Sequence, residues 1–500
     1  MEIKRSIMVG FLGVLMLGVA CKAPEDIEVE RDLVNLAFPI FESETTLSDL
    51  IDAGQDSSAL IVYNDNSMGL EYETTMSVPV PLPKMEDISV PLLSTDQPVP
   101  AFPISGVQLK RAKLSAGSIT FHFENNQYQE KVNVEVMVSH LSNGNGSFRK
   151  VFTIEYDGDL PATQEISYPL AGYTIDVLSG QMAVRYSAKL ADGSTAAIEA
   201  AQMVIKNVDF EFIAGKWASK TIPLTVPKLQ VGFFDHYTNG GKVTFTNPKL
   251  RLIAQNSVGL PAKFNFNDIT VTTITNQKKP VEGTFMTSGF GLAYPQMSQM
   301  GKYLTSSKVM DKTNSNIVEL FAEDLKAVDY DMDFVVCPNG PENGFVAKSS
   351  RVDLGLKAEL PFEGKVSDYK VVKDFDVKFT NEYVKAAVIK LQAKNQIPMD
   401  ARIQMYFLDN AGIVLDSLVA SNGVMAIASA VVDPSGNVIH AEEWQEEMPI
   451  SQEKWERIRS TANVRLVTSF TSSAGGSVPV RVKANQHVEL NAGIQLIVLP

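Results

Sequence analysis

Three carboxylates occupy alternate positions of one predicted strand and form a candidate site for cation binding. Asp329, Asp331 and Asp333 are separated by large apolar residues, and alternate residues of a strand point to the same face. Carboxylate oxygens are ligands that Ca²⁺ prefers, and the ion takes six to eight oxygens. A polar outer face over a buried apolar face produces the same pattern, so this alternative stays open.

A second cluster combines acidic residues with an indole ring. Glu443 and Trp444 lie in the segment 440–447, which contains four glutamates and one histidine. Carboxylates beside a tryptophan can bind a glycan or a hard cation. Because Pro449 follows closely, a solvated loop or an edge strand is the alternative interpretation.

Cys21 is a candidate for lipid modification. It follows Lys4, Arg5 and an apolar run over residues 7–20, and this order of charge, apolar run and small residues predicts a signal peptide over 1–20. Residues 17–20 with Cys21 resemble a bacterial lipobox. The resemblance implies that Cys21 becomes the acylated first residue of the mature chain. Acyl chains contribute about 0.8 kcal/mol per buried CH₂, so they anchor a protein without a membrane span.

The residues after Cys21 indicate which membrane face carries the anchor. Glu25, Asp26 and Glu28 form an acidic cluster that resembles the surface-export signal of Bacteroidetes lipoproteins. The resemblance implies an outer-membrane lipoprotein displayed on the cell surface. If the cluster is only a spacer within a tether over 21–45, the periplasmic face is the alternative.

A short motif makes Ser417 a candidate for glycosylation. Asp416, Ser417 and Leu418 fit the pattern of an aspartate, a hydroxyl residue and an apolar residue that is O-glycosylated in Bacteroidetes. Such a modification requires that Ser417 be exposed.

Composition and charge argue against a nucleic-acid partner and a disulfide framework. The chain of 500 residues is 45% hydrophobic and 20% charged, which is typical of a globular protein with several cores. Its net charge is −14 and it contains no basic run, so we expect no nucleic-acid partner. Cys337 is the only cysteine besides Cys21, so a disulfide framework is excluded, and we interpret Cys337 as a small residue at a strand end.

Catalytic signatures are missing from the sequence. It contains no Gly-x-Ser-x-Gly, no His-Glu-x-x-His and no phosphate-binding loop. Its five histidines lack the spacing of metal ligands. We therefore assign no catalytic residue, no metal ligand and no cofactor, and the sequence favours a role that is not enzymatic.

Period-2 alternation dominates the chain and predicts antiparallel strands. The segments 117–124 and 131–138 are clear examples, and we expect them to be neighbours. Helical spacing is confined to three short segments, 46–53, 316–327 and 451–463. In the last of these, Ser451 is a suitable N-cap, and Trp455, Ile458 and Ala462 form one apolar stripe.

Three stretches share a layout of a strand, an Asn-containing turn and a second strand. They cover residues 119–138, 243–264 and 389–403. Asparagine tolerates the left-handed backbone conformation and suits such turns. The shared layout suggests related sandwich units within one chain.

Several segments together resemble a known group of proteins. The succession of 47–51, 172–176, 245–248, 314–317 and 360–364 looks like a layout found in large β-rich lipoproteins of Bacteroidetes. Residues 247–256 also look like part of a LEA14-type sandwich. Neither resemblance supplies catalytic residues.

These observations predict an all-β protein of tandem antiparallel β-sandwich units, immunoglobulin-like or LEA14-like, with a few short helices. The expected order is the signal peptide, the tether, a helix, hairpin and Pro-rich segment over 46–103, and sandwiches over 104–215, 216–365 and 366–500. The predicted function is a lipid-anchored binding, adhesion or envelope-structural protein with an envelope protein or a glycan as partner. A glycan-binding or glycan-hydrolysing accessory protein and a carrier of an apolar ligand between envelope layers are the alternatives.

Overall fold

The computed structural model describes residues 34–46, 59–100, 102–177, 181–198, 200–233, 241–322, 324–377, 379, 384–418, 425–434 and 436–498. The predicted signal peptide, Cys21, the acidic cluster and residues 47–53 of the first predicted helix lie outside these ranges. Within them the chain is nearly all β, with antiparallel sheets and a few short helices, which confirms the predicted fold class of tandem β-sandwiches. No helix in the described ranges is both long and apolar enough to cross a membrane.

The strands of the amino-terminal part are β1 (Val34–Thr46), β2 (Leu60–Val62), β3 (Met68–Pro79), β4 (Ile88–Pro91), β5 (Gln97–Pro100), β6 (Val107–Asn125), β7 (Val132–Ser142), β8 (Ser147–Ile154), β9 (Ala162–Pro169), β10 (Thr174–Asp176), β11 (Gln181–Lys189) and β12 (Ala200–Trp217). The middle part contains β13 (Lys220–Thr225), β14 (Leu229–Gln230), β15 (Lys242–Phe245), β16 (Lys249–Asn256), β17 (Ala262–Thr273), β18 (Lys278–Pro280), β19 (Phe290–Leu292), β20 (Leu304–Met310), β21 (Leu325–Val336), β22 (Glu342–Ala347), β23 (Arg351–Pro361) and β24 (Glu363–Ser367).

The carboxyl-terminal part contains β25 (Tyr369–Asp376), β26 (Val384–Asn395), β27 (Met399–Leu408), β28 (Val414–Leu418), β29 (Met425–Ile427), β30 (Val431–Val432), β31 (Val438–His440), β32 (Glu442–Ile450), β33 (Asn463–Ser472), β34 (Val480–Arg481) and β35 (His487–Val498). The helices are α1 (Phe285–Ser288), α2 (Ile317–Phe321), α3 (Gln452–Ile458) and α4 (Ser473–Gly476), and Met297–Gln299 form a 3₁₀ turn.

The first sandwich is one sheet that folds back on itself. Its strands follow the order β22-β12-β6-β10-β7-β11-β5, with β4, β8 and β9 attached to β12, β7 and β6. The short strand β10 pairs with β6 on one side and with β7 on the other. Phe121 of β6 meets Phe148 of β8 with ring centroids 5.9 Å apart, so the two halves enclose a core. The predicted pairing of 117–124 with 131–138 is wrong, because the first segment pairs with β12 and β9 whereas the second pairs with β11 and β8.

The middle sandwich includes two strands from the amino-terminal part of the chain, β2 and β3. One sheet has the order β2-β3-β23-β16-β20, and the other has the order β13-β21-β17-β18 with β14 and β19 attached. Their buried residues form one continuous core with the first sandwich, and β22 extends into the first sandwich by pairing with β12. The segment 46–103 is thus divided, since β2 and β3 join the middle sandwich while β4 and β5 join the first.

The last sandwich has a core of its own. One sheet has the order β1-β35-β26-β32, and the other has the order β25-β33-β27-β28 with β29 attached to β27. Strand β1 pairs with β35 from Val34 to Thr46, so the tether expected over 21–45 does not continue through these residues. The small sheet β15-β24-β34 connects this sandwich to the middle one.

Two predicted helices are shorter than their sequence spacing indicates. The segment 316–327 forms α2 only as far as Phe321, and Leu325 already begins β21, which pairs along β17. The helix expected over 451–463 is α3, which ends at Ile458, and β33 begins at Asn463. Ser451 caps α3 as predicted, because its Oγ accepts a hydrogen bond from the Lys454 amide. In both places the pairing of a following strand ends the helical pattern.

In each of the three stretches with a shared layout, a buried asparagine side chain forms the same hydrogen bond to the backbone. Asn125, Asn256 and Asn395 each end a strand and are at most 1% exposed. In each case the side-chain oxygen accepts a hydrogen bond from the backbone amide two residues later, at 3.2, 2.8 and 2.9 Å. The strands on either side of each asparagine are not paired with each other. The buried amide therefore supports a turn between separate strands three times in the chain.

Candidate functional site

The aspartate row lies where the sequence pattern predicts, on one face of β21. Asp329, Asp331 and Asp333 are half-buried or exposed, whereas Val328, Tyr330, Met332 and Phe334 are buried. Strand β21 is central in its sheet, between β13 and β17. The apolar residues fill the core and the carboxylates face outwards.

Neighbouring side chains already bond to these carboxylates. Lys228 Nζ lies 2.9 Å from Asp329 Oδ1, and Asn267 Nδ2 donates to Asp331 Oδ1 at 3.1 Å and to Asp333 Oδ2 at 3.3 Å. The described ranges contain no group of three or more His, Cys, Asp or Glu residues that could hold a metal ion. The three carboxylates therefore form part of a hydrogen-bonded outer face of the sheet.

Glu443 and Trp444 are not brought together on one surface. They are consecutive residues of β32, so their side chains point to opposite faces of the sheet. Trp444 is half-buried and packs against the core of the last sandwich, whereas Glu443 is exposed on the outer face. A site that uses a carboxylate and an indole side by side does not form here.

The structure instead reveals a polar groove on the outer face of that sheet. Its volume is about 470 Å³, and it runs over β32, β26 and β35. Ala393 and Trp444 also border the groove, although their side chains point to the core face of the sheet. The polar lining consists of Gln392, Lys394, Glu443, Gln445, Glu489 and Asn491. We call these six polar side chains the polar groove.

The register of the three strands arranges the polar groove in two rows. Gln392 lies opposite Gln445 on one neighbouring strand and opposite Asn491 on the other. Lys394 lies between Glu443 and Glu489 in the same way. One row therefore carries three carboxamides and the next carries alternating charges. Sequence reasoning identified only Glu443 of this set, because the three strands are far apart in the chain.

Ser417 is held in a cluster of charges beside α3. Asp416 Oδ2 accepts a hydrogen bond from Arg457 Nε at 2.8 Å, and Lys454 Nζ donates to the carbonyl of Ser417 at 2.6 Å. Ser417 itself is half-buried on β28. Glycosylation requires a more open position than this, so Ser417 remains only a predicted site.

Cys337 is buried at the end of β21. It is 0% exposed, and its amide donates to the carbonyl of Pro261 at 2.8 Å. Burial raises the pKa of the thiol above its ordinary value. Because the thiolate is the reactive species, this environment makes Cys337 an inert packing residue.

An apolar cavity lies where the middle and last sandwiches meet. It is lined mainly by aromatic and aliphatic side chains, including Phe245, Phe362, Tyr369, Met399 and Val480. Its volume is about 50 Å³, whereas ligand pockets measure roughly 300–1,000 Å³. The cavity is too small for an acyl chain, so it does not support the apolar-carrier alternative.

Comparisons with known proteins add little to this geometry. No family model and no curated protein matches the chain. A crystal structure from Parabacteroides distasonis, described as a candidate secreted protein, is 12% identical over 57% of this chain and 89% of that one, with a TM-score of 0.34.

Two viral proteins are also similar over long stretches. A structure of infectious bursal disease virus, Gx strain, is 8% identical over 87% of this chain and 80% of that one, with a TM-score of 0.13. A triple jelly roll protein of an archaeal virus is 11% identical over 84% and 90%, also at 0.13. All three TM-scores lie below 0.5, so these likenesses carry no argument about function. The chain's own sheets establish what it is structurally, an all-β protein of tandem antiparallel sandwiches.

Proposed function

We propose that this protein is a lipid-anchored outer-membrane protein, displayed on the cell surface, with a binding or adhesion role that does not involve catalysis. The anchor is the predicted acyl group on Cys21. The observation that best supports the proposal is the short distance along the chain from Cys21 to the first strand of the folded body.

Strand β1 begins at Val34, thirteen residues after Cys21. A fully extended chain covers at most about 3.6 Å per residue, so the anchor lies within roughly 45 Å of the start of β1. Because β1 is paired throughout with β35, the last sandwich is the one tied to the membrane.

In this proposal the first sandwich is the unit least directly connected to the anchored one. The first sandwich shares sheet hydrogen bonds with the middle one through β12 and β22, and none of its strands is paired with a strand of the last sandwich within the described ranges. Anchoring through the last sandwich would leave the surfaces of the other two units available to partners outside the membrane.

The arrangement of the predicted polar sites supports binding over catalysis. The Asp329, Asp331 and Asp333 carboxylates are held by Lys228 and Asn267. Glycoside hydrolysis needs two carboxyl groups that flank one bond, roughly 5–10 Å apart. In the polar groove Lys394 lies between the Glu443 and Glu489 carboxylates, and a row of three amides runs beside them; this mixture of amides and alternating charges suits recognition.

The test is metabolic labelling of cells with an alkyne analogue of palmitate, followed by membrane fractionation. Cys21→Ala is expected to abolish labelling and to release the protein from membranes, because the acyl group has no other attachment point in the proposal. Cys337→Ala is the matched control and is expected to remain labelled and membrane-bound, since Cys337 is buried. A Cys21→Ala protein that stays labelled and sediments with membranes would overturn the proposal.

A further inference from the structure

We propose that the polar groove on β32, β26 and β35 is a binding site for an uncharged polyhydroxyl ligand, which is the chemistry of a neutral saccharide. This inference deepens the binding role proposed above, because it names the class of ligand and the surface that takes it.

The carboxamide row supplies the hydrogen bonds that such a ligand needs. Gln445, Gln392 and Asn491 lie side by side on three adjacent strands, which are about 4.8 Å apart in a sheet. Each carboxamide offers both a donor and an acceptor. A sugar hydroxyl also donates and accepts, so it can pair with this row in either orientation.

These amides are available to a ligand, because no residue of the described ranges bonds to them. Gln392, Gln445 and Asn491 are exposed, and their side chains have no hydrogen-bond partner within the described ranges. Lys394 and Glu443 in the adjacent row likewise form no ion pair there.

Several polar residues on other outer faces bond to a partner on the neighbouring strand. Thr120 and Ser167 bond to each other at 2.6 Å across β6 and β9, and Thr153 donates to Asn133 at 2.9 Å across β8 and β7. On β23, Lys357 Nζ bonds to Glu71 at 2.8 Å. In these three pairs the outer-face residues bond to each other across strands, whereas the three adjacent carboxamides of the row leave their bonding capacity open.

The charge of the surrounding face selects against anionic ligands. Across the four strands of this sheet, the outward carboxylates outnumber the outward ammonium groups. The acidic members are Glu42, Glu44, Glu443, Glu447 and Glu489, and the basic members are Lys385, Lys390 and Lys394. Like charges repel, so a phosphate or uronate ligand is disfavoured and a neutral one is not. The groove volume of about 470 Å³ falls in the range of small-ligand sites.

The experiment is affinity electrophoresis of the purified full chain through gels that each contain one polysaccharide. Dextran, α-mannan and galactomannan are the neutral probes, and polygalacturonate is the anionic one. We expect at least one neutral polysaccharide to retard the protein, and we expect polygalacturonate not to. The triple variant Gln392→Ala, Gln445→Ala, Asn491→Ala should bind the retarding polysaccharide about tenfold more weakly, because three bonding groups are removed from one row.

The matched control is the triple variant Gln181→Ala, Gln230→Ala, Gln255→Ala. These three glutamines are also exposed on strands, but they are scattered over β11, β14 and β16. The control should be retarded like the unmodified protein, and both variants should keep its melting temperature, since surface changes usually alter stability by less than about 0.5 kcal/mol. The site is refuted if no neutral probe retards the protein, or if both triple variants bind equally well. Binding by the detergent-solubilised protein does not depend on Cys21, so this outcome is independent of the labelling test.

Discussion

Replacement of Trp455 by alanine tests how much α3 contributes to the stability of the last sandwich. Trp455 is 1% exposed and lies in the core of that sandwich, with its ring centroid 5.4 Å from that of Phe379. A buried aromatic side chain removes about 150–250 Å² from water, which at about 25 cal/mol per Å² corresponds to roughly 4–6 kcal/mol. Measured truncations of Phe and Trp to Ala cost about 3–5 kcal/mol, and we expect a loss in that range.

Replacement by phenylalanine separates the ring's packing from its polar atom. The Nε1 of Trp455 is buried and has no hydrogen-bond partner within the described ranges. An unsatisfied buried donor costs about 1–3 kcal/mol, so Trp455→Phe loses volume but also removes this penalty. The two effects oppose each other, and we expect Trp455→Phe to cost less than about 1.5 kcal/mol.

The assay is hydrogen exchange of the full chain, followed by mass spectrometry of peptides from β33 and β35. These strands lie in the two facing sheets of the last sandwich, so their opening free energy reports on its core. A loss of 3–5 kcal/mol also corresponds to roughly 6–20 °C in melting temperature for a unit of this size. The reasoning is refuted if Trp455→Ala changes the opening free energy by less than about 1 kcal/mol, because Trp455 would then be a surface ring available to a ligand.

Three further predictions concern the tether, a buried turn and an ion pair. Neutralising Glu25, Asp26 and Glu28 is expected to move the protein from the cell surface to the periplasmic face. Protease treatment of intact cells would then no longer digest the protein. Asn395→Ala should cost about 1–3 kcal/mol in urea unfolding, because it leaves the Ile397 amide buried without its acceptor. A hydrogen bond from Arg465 lowers the pKa of Asp374. The pair therefore contributes its full stabilisation at pH values above the ordinary carboxyl pKa of about 3.9, and this contribution is lost as the pH falls through the lowered pKa. The side chains of Arg465 and Asp374 are 43% and 47% exposed, so Asp374→Asn should reduce the free energy of unfolding at pH 7 by less than about 1 kcal/mol. The variant should also lose less stability than the unmodified protein as the pH is lowered below about 4.

The sequence alone determined which residues face inwards and which face outwards. Alternation along 328–334 placed Asp329, Asp331 and Asp333 on one face, because side-chain direction in a strand depends only on position in that strand. The same local reasoning identified Ser451 as a cap, since an N-cap bonds within its own first turn. It also identified the asparagine turns, whose hydrogen bonds reach only two residues along the chain.

Only the tertiary structure decided which strands lie next to one another. The pairing of β1 with β35 joins the two ends of the described chain, and β10 separates strands that follow each other closely in sequence. The carboxamide row exists because Gln392 is in register with Gln445 and with Asn491. Backbone hydrogen bonds between strands do not depend on side-chain type, so the local pattern leaves partners and register open. Packing of the whole core selects one pairing among many, and that selection creates the surface on which ligand binding is proposed.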